Sequence, residues 1–381
     1  MIIVELHTRQ VGGLNPLPAT FLEITVDNGL VSKTDRLAEL DVLRGLAAIG
    51  VLAYHYTVIY PASYSPAEIT LFKFPLGYYG PHLFFMISGF VILMTLEKTS
   101  QPFDFIVSRF SRLYPSYWAA IIVTFLITEN CWLFPSLLMK VSYKDFFINF
   151  SMLQSWFNSK DVDGVYWTLA VELTFYFLIY WVYLTKNLRS IEIYALGWLA
   201  IMVLNKFFCP HVPGFFKFLF DPMLQYGELF IAGILFYNLK SKGHRWYRHV
   251  GLGLCLLVCY LLGSQRDVLV GGGHDTVVFA VLMIIFYLFI LGKLGFIVQK
   301  PLVFLGTISF SLYLVHSEIG FVIKEWISIF SLGPFLNFFI PLTCSILLAA
   351  LITYLIEKPA MKGIRQAYKT FIIDNFALFL L

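Results

Sequence analysis

At 381 residues, 59% of them hydrophobic and only 13% charged, the chain carries roughly half the charge of a globular protein, which excludes a water-soluble fold. The 27 Lys and Arg against 23 Asp and Glu give a formal net charge of +4, and no basic run with interleaved aromatics occurs, so nucleic acid is excluded as a partner. The mean hydropathy of +0.77 is spread along the chain in runs near the roughly 20 residues that cross a hydrocarbon core.

Residues 1–39 read as a polar N-terminal tail, in which Glu5 and Arg9 interrupt the early apolar residues, so no secretory signal is expected. Spans are then expected near 42–60, 77–96, 112–129, 167–184, 191–208, 223–239, 250–264, 276–292, 302–322 and 335–356. Lys and Arg concentrate in alternate connections, around Arg109 and Arg112, Lys186 and Arg189, Lys240 to Arg248, and Lys358 to Lys369. The positive-inside rule places those connections and both termini in the cytoplasm, which an even count of about ten spans satisfies. The expectation is an all-α integral membrane bundle of about ten transmembrane helices. One membrane domain covers 40–365, between the tail of 1–39 and a short C-terminal tail of 366–381. The longest connection, near 130–166, is expected outside and carries Trp132, Phe134, Trp156, Asn158, Asp161 and Asp163.

An ionisable side chain inside a membrane helix costs a few kcal/mol, so each one needs a reason. In the first span, Arg44 and His55 are eleven residues apart, which brings them within about 20° of one helix face and about 16 Å apart along it. Asp41, one turn before Arg44, can orient its guanidinium. Arg44 has two readings, an interfacial anchor or a ligand for an anion. His55 gains nothing structurally among Leu, Ala, Val and Ile, which favours function. Ser88, beside Gly89, reads as a helix-packing position nearer mid-membrane. Arg109 and Arg112 stand together at the mouth of the third span, near Arg44, either as anchors or as a clamp for phosphates.

Glu172 lies five residues inside its span, at nearly the depth of His55, so it is expected to hydrogen-bond and orient that imidazole, unless it is protonated on a helix backbone. Glu228 and His316 reach similar heights. Five scattered cysteines, none in a C-x-x-C pair, argue against a metal centre. A Cys131–Cys209 disulfide is open but less expected than two packed thiols. No nucleophile elbow, H-E-x-x-H or phosphate-binding glycine loop occurs, and Gly271-Gly272-Gly273 reads as a turn.

The segments LDVLRGLAAIGVLAYH, HLFFMISGFVI, RLYPSYW, YWTLAVELTFY, SFSLYLVH and YLIEKPAMK resemble, in order and approximate spacing, the acyltransferase-3 family of integral membrane O-acyltransferases. The resemblance covers about Leu40 to Arg365. It implies about ten helices that move an acyl group, often acetyl, from cytoplasmic acyl-coenzyme A to a hydroxyl of an envelope carbohydrate such as O-antigen or exopolysaccharide. It implies a multi-pass protein of the inner (plasma) membrane, with a glycan or lipid-linked glycan as acceptor and the lipid bilayer as surroundings. The family's first-helix Arg and His fall on Arg44 and His55, and its acidic residue after Trp falls on Glu172; Leu173 and Thr174 stand where many members have Glu and Gln. The combined expectation is that Arg44, Arg109 and Arg112 hold the donor's phosphates, that His55 and Glu172 are catalytic, and that Asp41, Ser88, Glu228 and His316 support them. A proton-coupled carrier of an envelope precursor is the alternative, since buried His and Glu in a polytopic bundle also describe such carriers.

Overall fold

The computed structural model describes residues 37–66, 68–129, 141–208, 214–263 and 274–379, with backbone alone for 208, 214–220, 263 and 373–379. The N-terminal tail up to residue 36, both partners of the Cys131–Cys209 disulfide, Trp132, Phe134 and the triple glycine lie outside them. The described chain is all α: α1 (Ala38–Ser63), α2 (Pro75–Lys98), α3 (Pro102–Glu129), α4 (Tyr143–Asn149), α5 (Gly164–Leu184), α6 (Leu188–Phe207), α7 (Gly214–Lys242), α8 (Trp246–Gly263), α9 (His274–Ile290), α10 (Lys300–Val315), α11 (Glu318–Ser328) and α12 (Pro334–Ile372).

The expected bundle of about ten transmembrane helices is not what the structure shows. Among the described residues, six helices are long and apolar enough to cross a membrane, namely α1, α2, α3, α5, α6 and α12, or seven if α10 and α11 count as one broken span. The difference has physical causes. Among the described residues, α9 covers 17 residues and α8 is a second short apolar helix; both adjoin residues 264–273, which lie outside the described set. In α7, Gln225, Glu228 and Asn238 dilute the run read as a span at 223–239. The run at 302–322 breaks at His316, where α10 and α11 meet at 77°. The even count of about ten that placed both termini in the cytoplasm does not hold, and that orientation argument falls with it.

Two close glycine contacts set the packing around the site. A Cβ on Gly45 of α1 would stand 2.6 Å from the Gly306 nitrogen of α10, and one on Gly306 only 2.2 Å from the Asp41 carbonyl oxygen, so the two backbones touch. On α2, a Cβ on Gly89 would meet the Phe230 oxygen of α7 at 2.1 Å, and a Cβ on Gly233 would meet the Met86 oxygen at 2.1 Å. Small residues at such crossings let membrane helices approach without a hydrophobic driving force. Gly89 therefore has the packing role expected at Ser88-Gly89. On the outside of the bundle, large apolar side chains such as Trp181, Ile193 and Leu355 are more than half exposed, as a lipid-facing surface requires.

Candidate active site

The apolar sequence of α1 makes it helical, and its close approach to α10 turns Arg44 towards the bundle. There Arg44 lines a cavity of about 100 Å³ together with Arg109 and Arg112 of α3, Ser88 of α2, and Glu172 and Tyr176 of α5. Arg109 and Arg112 are three residues apart and so occupy one helix face. Arg112 is ion-paired with Glu357 of α12, whose side chain is 1% exposed. Ser116 and Ser311 donate to Glu357 Oε2 at 3.0 and 3.1 Å, and Thr353 donates to the Ser311 hydroxyl at 2.9 Å. Glu357 ends a π-helical turn, Ile352–Glu357, the kind of local helix widening that often marks functional positions.

Arg109 donates to the Ser108 hydroxyl at 3.2 Å, but its buried Nε has no partner among the described residues. One orphaned guanidinium N–H in a cavity walled by three arginines suits an anionic ligand with several acceptor oxygens. Glu172 does not contact His55. Its Oε1 accepts hydrogen bonds from Ser88, at 2.7 Å, and from the hydroxyl of Tyr176 one turn further along α5. The expectation that Glu172 orients the imidazole is thereby corrected. A helix-depth estimate places two groups at one level but leaves open how far apart their helices stand, and Ser88 and Tyr176 are the hydroxyls within reach.

The partner of His55 is His316. Their rings meet edge to face with centroids 4.9 Å apart, and His316 Nε2 lies 3.3 Å from His55 Nδ1. Each Nδ1 also faces a backbone carbonyl, Val51 O at 2.9 Å for His55 and Tyr313 O at 2.8 Å for His316. Carbonyls only accept, so in the neutral imidazoles both Nδ1 atoms carry the hydrogen and both Nε2 atoms are bare. His55 Nε2 is thus left as a base, and no hydrogen bond to it occurs among the described residues. His55 opens a second π-helical turn, His55–Ile59, so both π segments carry an ionisable site residue.

His316 sits at the break between α10 and α11, which three contacts hold open. Tyr56 donates to the His316 carbonyl at 2.8 Å, and Gly320 gives it room, since a Cβ there would stand 2.0 Å from the Tyr56 hydroxyl. Asp163, from the long connection before α5, accepts from the Glu318 N–H at 3.0 Å and the Val165 N–H at 3.1 Å. It therefore caps α11 at its first residue. Tyr313 joins the two halves of the site: it lines the arginine cavity, and its ring lies 5.6 Å from that of His316.

Of the residues singled out from sequence, Arg44, Arg109, Arg112, Ser88 and Glu172 share one cavity, and His55 and His316 form the adjoining pair. Asp41 sits half-buried with its backbone against Gly306. Glu228 is fully buried on α7 and is not among the cavity residues. Sequence reasoning missed Tyr176, Glu357 and the capping role of Asp163. Glu357 reads in the sequence as a charge ending the last span, and only its spacing from Thr353, one turn earlier, hints that it points inward.

The profile of the family described as "Acyltransferase domain" matches residues 37–357. The chain is 27% identical over 282 residues, 72% of this chain and 80% of the other, to ORF330 of Acidianus two-tailed virus, whose name proposes an acetyltransferase. It is 25% identical over 323 residues to the O-acetyltransferase OatA of Staphylococcus aureus strains NCTC 8325 / PS 47 and COL, covering 74% of this chain. The chain spans about half the length of OatA, 50% of it. No solved structure matches the chain. With the profile covering most of the sequence and six motifs in family order along a multi-span helical bundle, the chain belongs to the acyltransferase-3 family and is a membrane-embedded acyltransferase.

Proposed function

We propose that the protein transfers an acetyl group from acetyl-coenzyme A to a hydroxyl of an envelope carbohydrate such as O-antigen or exopolysaccharide, in the inner (plasma) membrane. The observation that carries this reading is the cavity in which three guanidiniums meet, next to a histidine whose Nε2 is bare. Arg44, Arg109 and Arg112 would hold the donor's phosphates, for which the planar guanidinium fork is suited. The pantetheine arm would lie along the face of α1 towards His55, about 16 Å away along the helix. Glu172, with Ser88 and Tyr176, would shape the wall that the arm passes.

At His55 the acceptor hydroxyl gives its proton to Nε2 while its oxygen attacks the thioester carbonyl. The new carbon–oxygen bond forms, the carbon–sulfur bond breaks, and the departing thiolate takes the proton back from His55. His316 and the Val51 carbonyl hold the Nδ1 edge, which keeps Nε2 directed at the substrate and favours the imidazolium that forms transiently. The purified protein, incubated with radiolabelled acetyl-coenzyme A and an envelope glycan extract, should transfer label to glycan. His55→Ala should abolish transfer while leaving the protein inserted and able to bind coenzyme A. A variant that keeps more than about a tenth of the activity would remove His55 from the mechanism.

A further inference from the structure

At the His55 end of α1, a cleft of about 380 Å³ opens between the segment after α1, the helix α11 and the start of α12. Its lining includes Tyr60, Glu68, Lys324 and Asn337. Lys324 Nζ lies 2.7 Å from Glu68 Oε1, with the two side chains 3% and 10% exposed, and 4.6 Å from the centroid of the Tyr60 ring. The lysine is therefore satisfied by a carboxylate and an aromatic face, and the pair offers little attraction to an anion. Two other atoms are not satisfied. Glu68 Oε2 and Asn337 Oδ1 are buried and accept no hydrogen bond among the described residues. Buried acceptors are rarely left unmet, so both call for donors from outside the protein.

The cleft adjoins the histidine pair through Phe321. The centroid of that ring is 5.5 Å from Tyr60, which lines the cleft, and 6.2 Å from His55. We propose that this cleft is the acceptor subsite, holding a neutral, polyhydroxylated sugar ring whose hydroxyls donate to Glu68 Oε2 and Asn337 Oδ1 while a further hydroxyl reaches past Phe321 to His55. The proposal rests on the acyl-transfer reading above. It divides recognition between two ends of the site: anionic donor on the arginines, neutral polyol on the unmet acceptors.

Asn337→Ala removes an acceptor that has no partner within the protein, so the thermal midpoint should hold or rise. In label transfer from acetyl-coenzyme A to an envelope glycan extract, the half-saturating acceptor concentration should rise about tenfold, the loss of one hydrogen bond. The maximal rate and the half-saturating acetyl-coenzyme A should stay within about twofold. Glu68→Gln, which puts an amide donor in place of Oε2 and weakens the buried pair with Lys324, should lower the thermal midpoint and likewise raise the half-saturating acceptor concentration. Asn337→Asp, which keeps the Oδ1 acceptor, should hold that concentration near the wild-type value. For the wild type, the half-saturating acceptor concentration should not change between about 0.05 and 0.5 M salt, whereas an anionic acceptor would bind more weakly at high salt. The proposal is overturned if both variants keep the wild-type acceptor half-saturation, if their defect lies in acetyl-coenzyme A saturation instead, or if acceptor binding weakens steeply with salt. A wild type that labels no envelope fraction overturns the acyl-transfer reading itself, and the acceptor subsite with it.

Discussion

Gly306→Ala is the most direct probe of how helix packing positions the histidine pair. The added Cβ would lie 2.2 Å from the Asp41 carbonyl oxygen, where ordinary contact begins at 3.4 Å, so α1 and α10 must part by about 1 Å, an overpacking that costs about 1–3 kcal/mol. Both helices run the same way from this contact. His55 lies ten residues beyond Gly45 and His316 ten beyond Gly306, so a separation at the glycines is carried to a 3.3 Å contact between the rings. With His55 as the base proposed above, a displacement of about 1 Å should lower turnover by about a hundredfold. The assay is label transfer to glycan beside a thermal melt of the detergent-solubilised protein. Gly253→Ala serves as control, because nothing lies within 4 Å of its added Cβ, and it should stabilise by up to about 1 kcal/mol as a helix substitution. If Gly306→Ala keeps the wild-type melting point and turnover within about twofold, the glycine contact does not position the pair.

Two further outcomes follow from the groups around the site. Replacing Glu357 with Leu strands Arg112 and removes the acceptor for Ser116 and Ser311, so a melt should show a loss of about 3 kcal/mol, the lower end for a broken buried pair, since Arg112 is 25% exposed and can rehydrate. Burial raises the Asp163 carboxyl from its ordinary 3.8 to about 7, and that of Asp161 to about 6. The folded state therefore binds more protons than the unfolded between about pH 4 and 7, and stability falls as pH rises through that window. Thermal melts from pH 5 to 8 should decline accordingly, and Asp163→Asn should flatten the decline. A slope unchanged in that variant would remove Asp163 as its source.

Much of this protein was legible from residues alone. A charge content this low leaves only a membrane as solvent, and an apolar helix does not carry Arg44 and His55 without a use for them. The order of the motifs likewise pointed to the acyltransferase-3 family before any contact was known. The three arginines line one cavity, and the sequence hinted at it because Arg109 and Arg112 share a face by spacing.

What tertiary structure alone decided is lateral. Depth along a span follows from counting residues, so Glu172 and His55 could be set at one level, but which helices touch depends on where small residues let backbones meet. Gly45 against Gly306 brings α10 rather than α5 to the face of His55, and so gives it His316 as partner. The number of spans failed for a related reason. Hydropathy does not register that an apolar run is broken at 77°, with Tyr56 and Asp163 acting on the break from elsewhere in the chain. The sequence determined the solvent and the family. The pairing of polar groups across helices was decided by the fold, because contacts between distant residues depend on packing that no local period encodes.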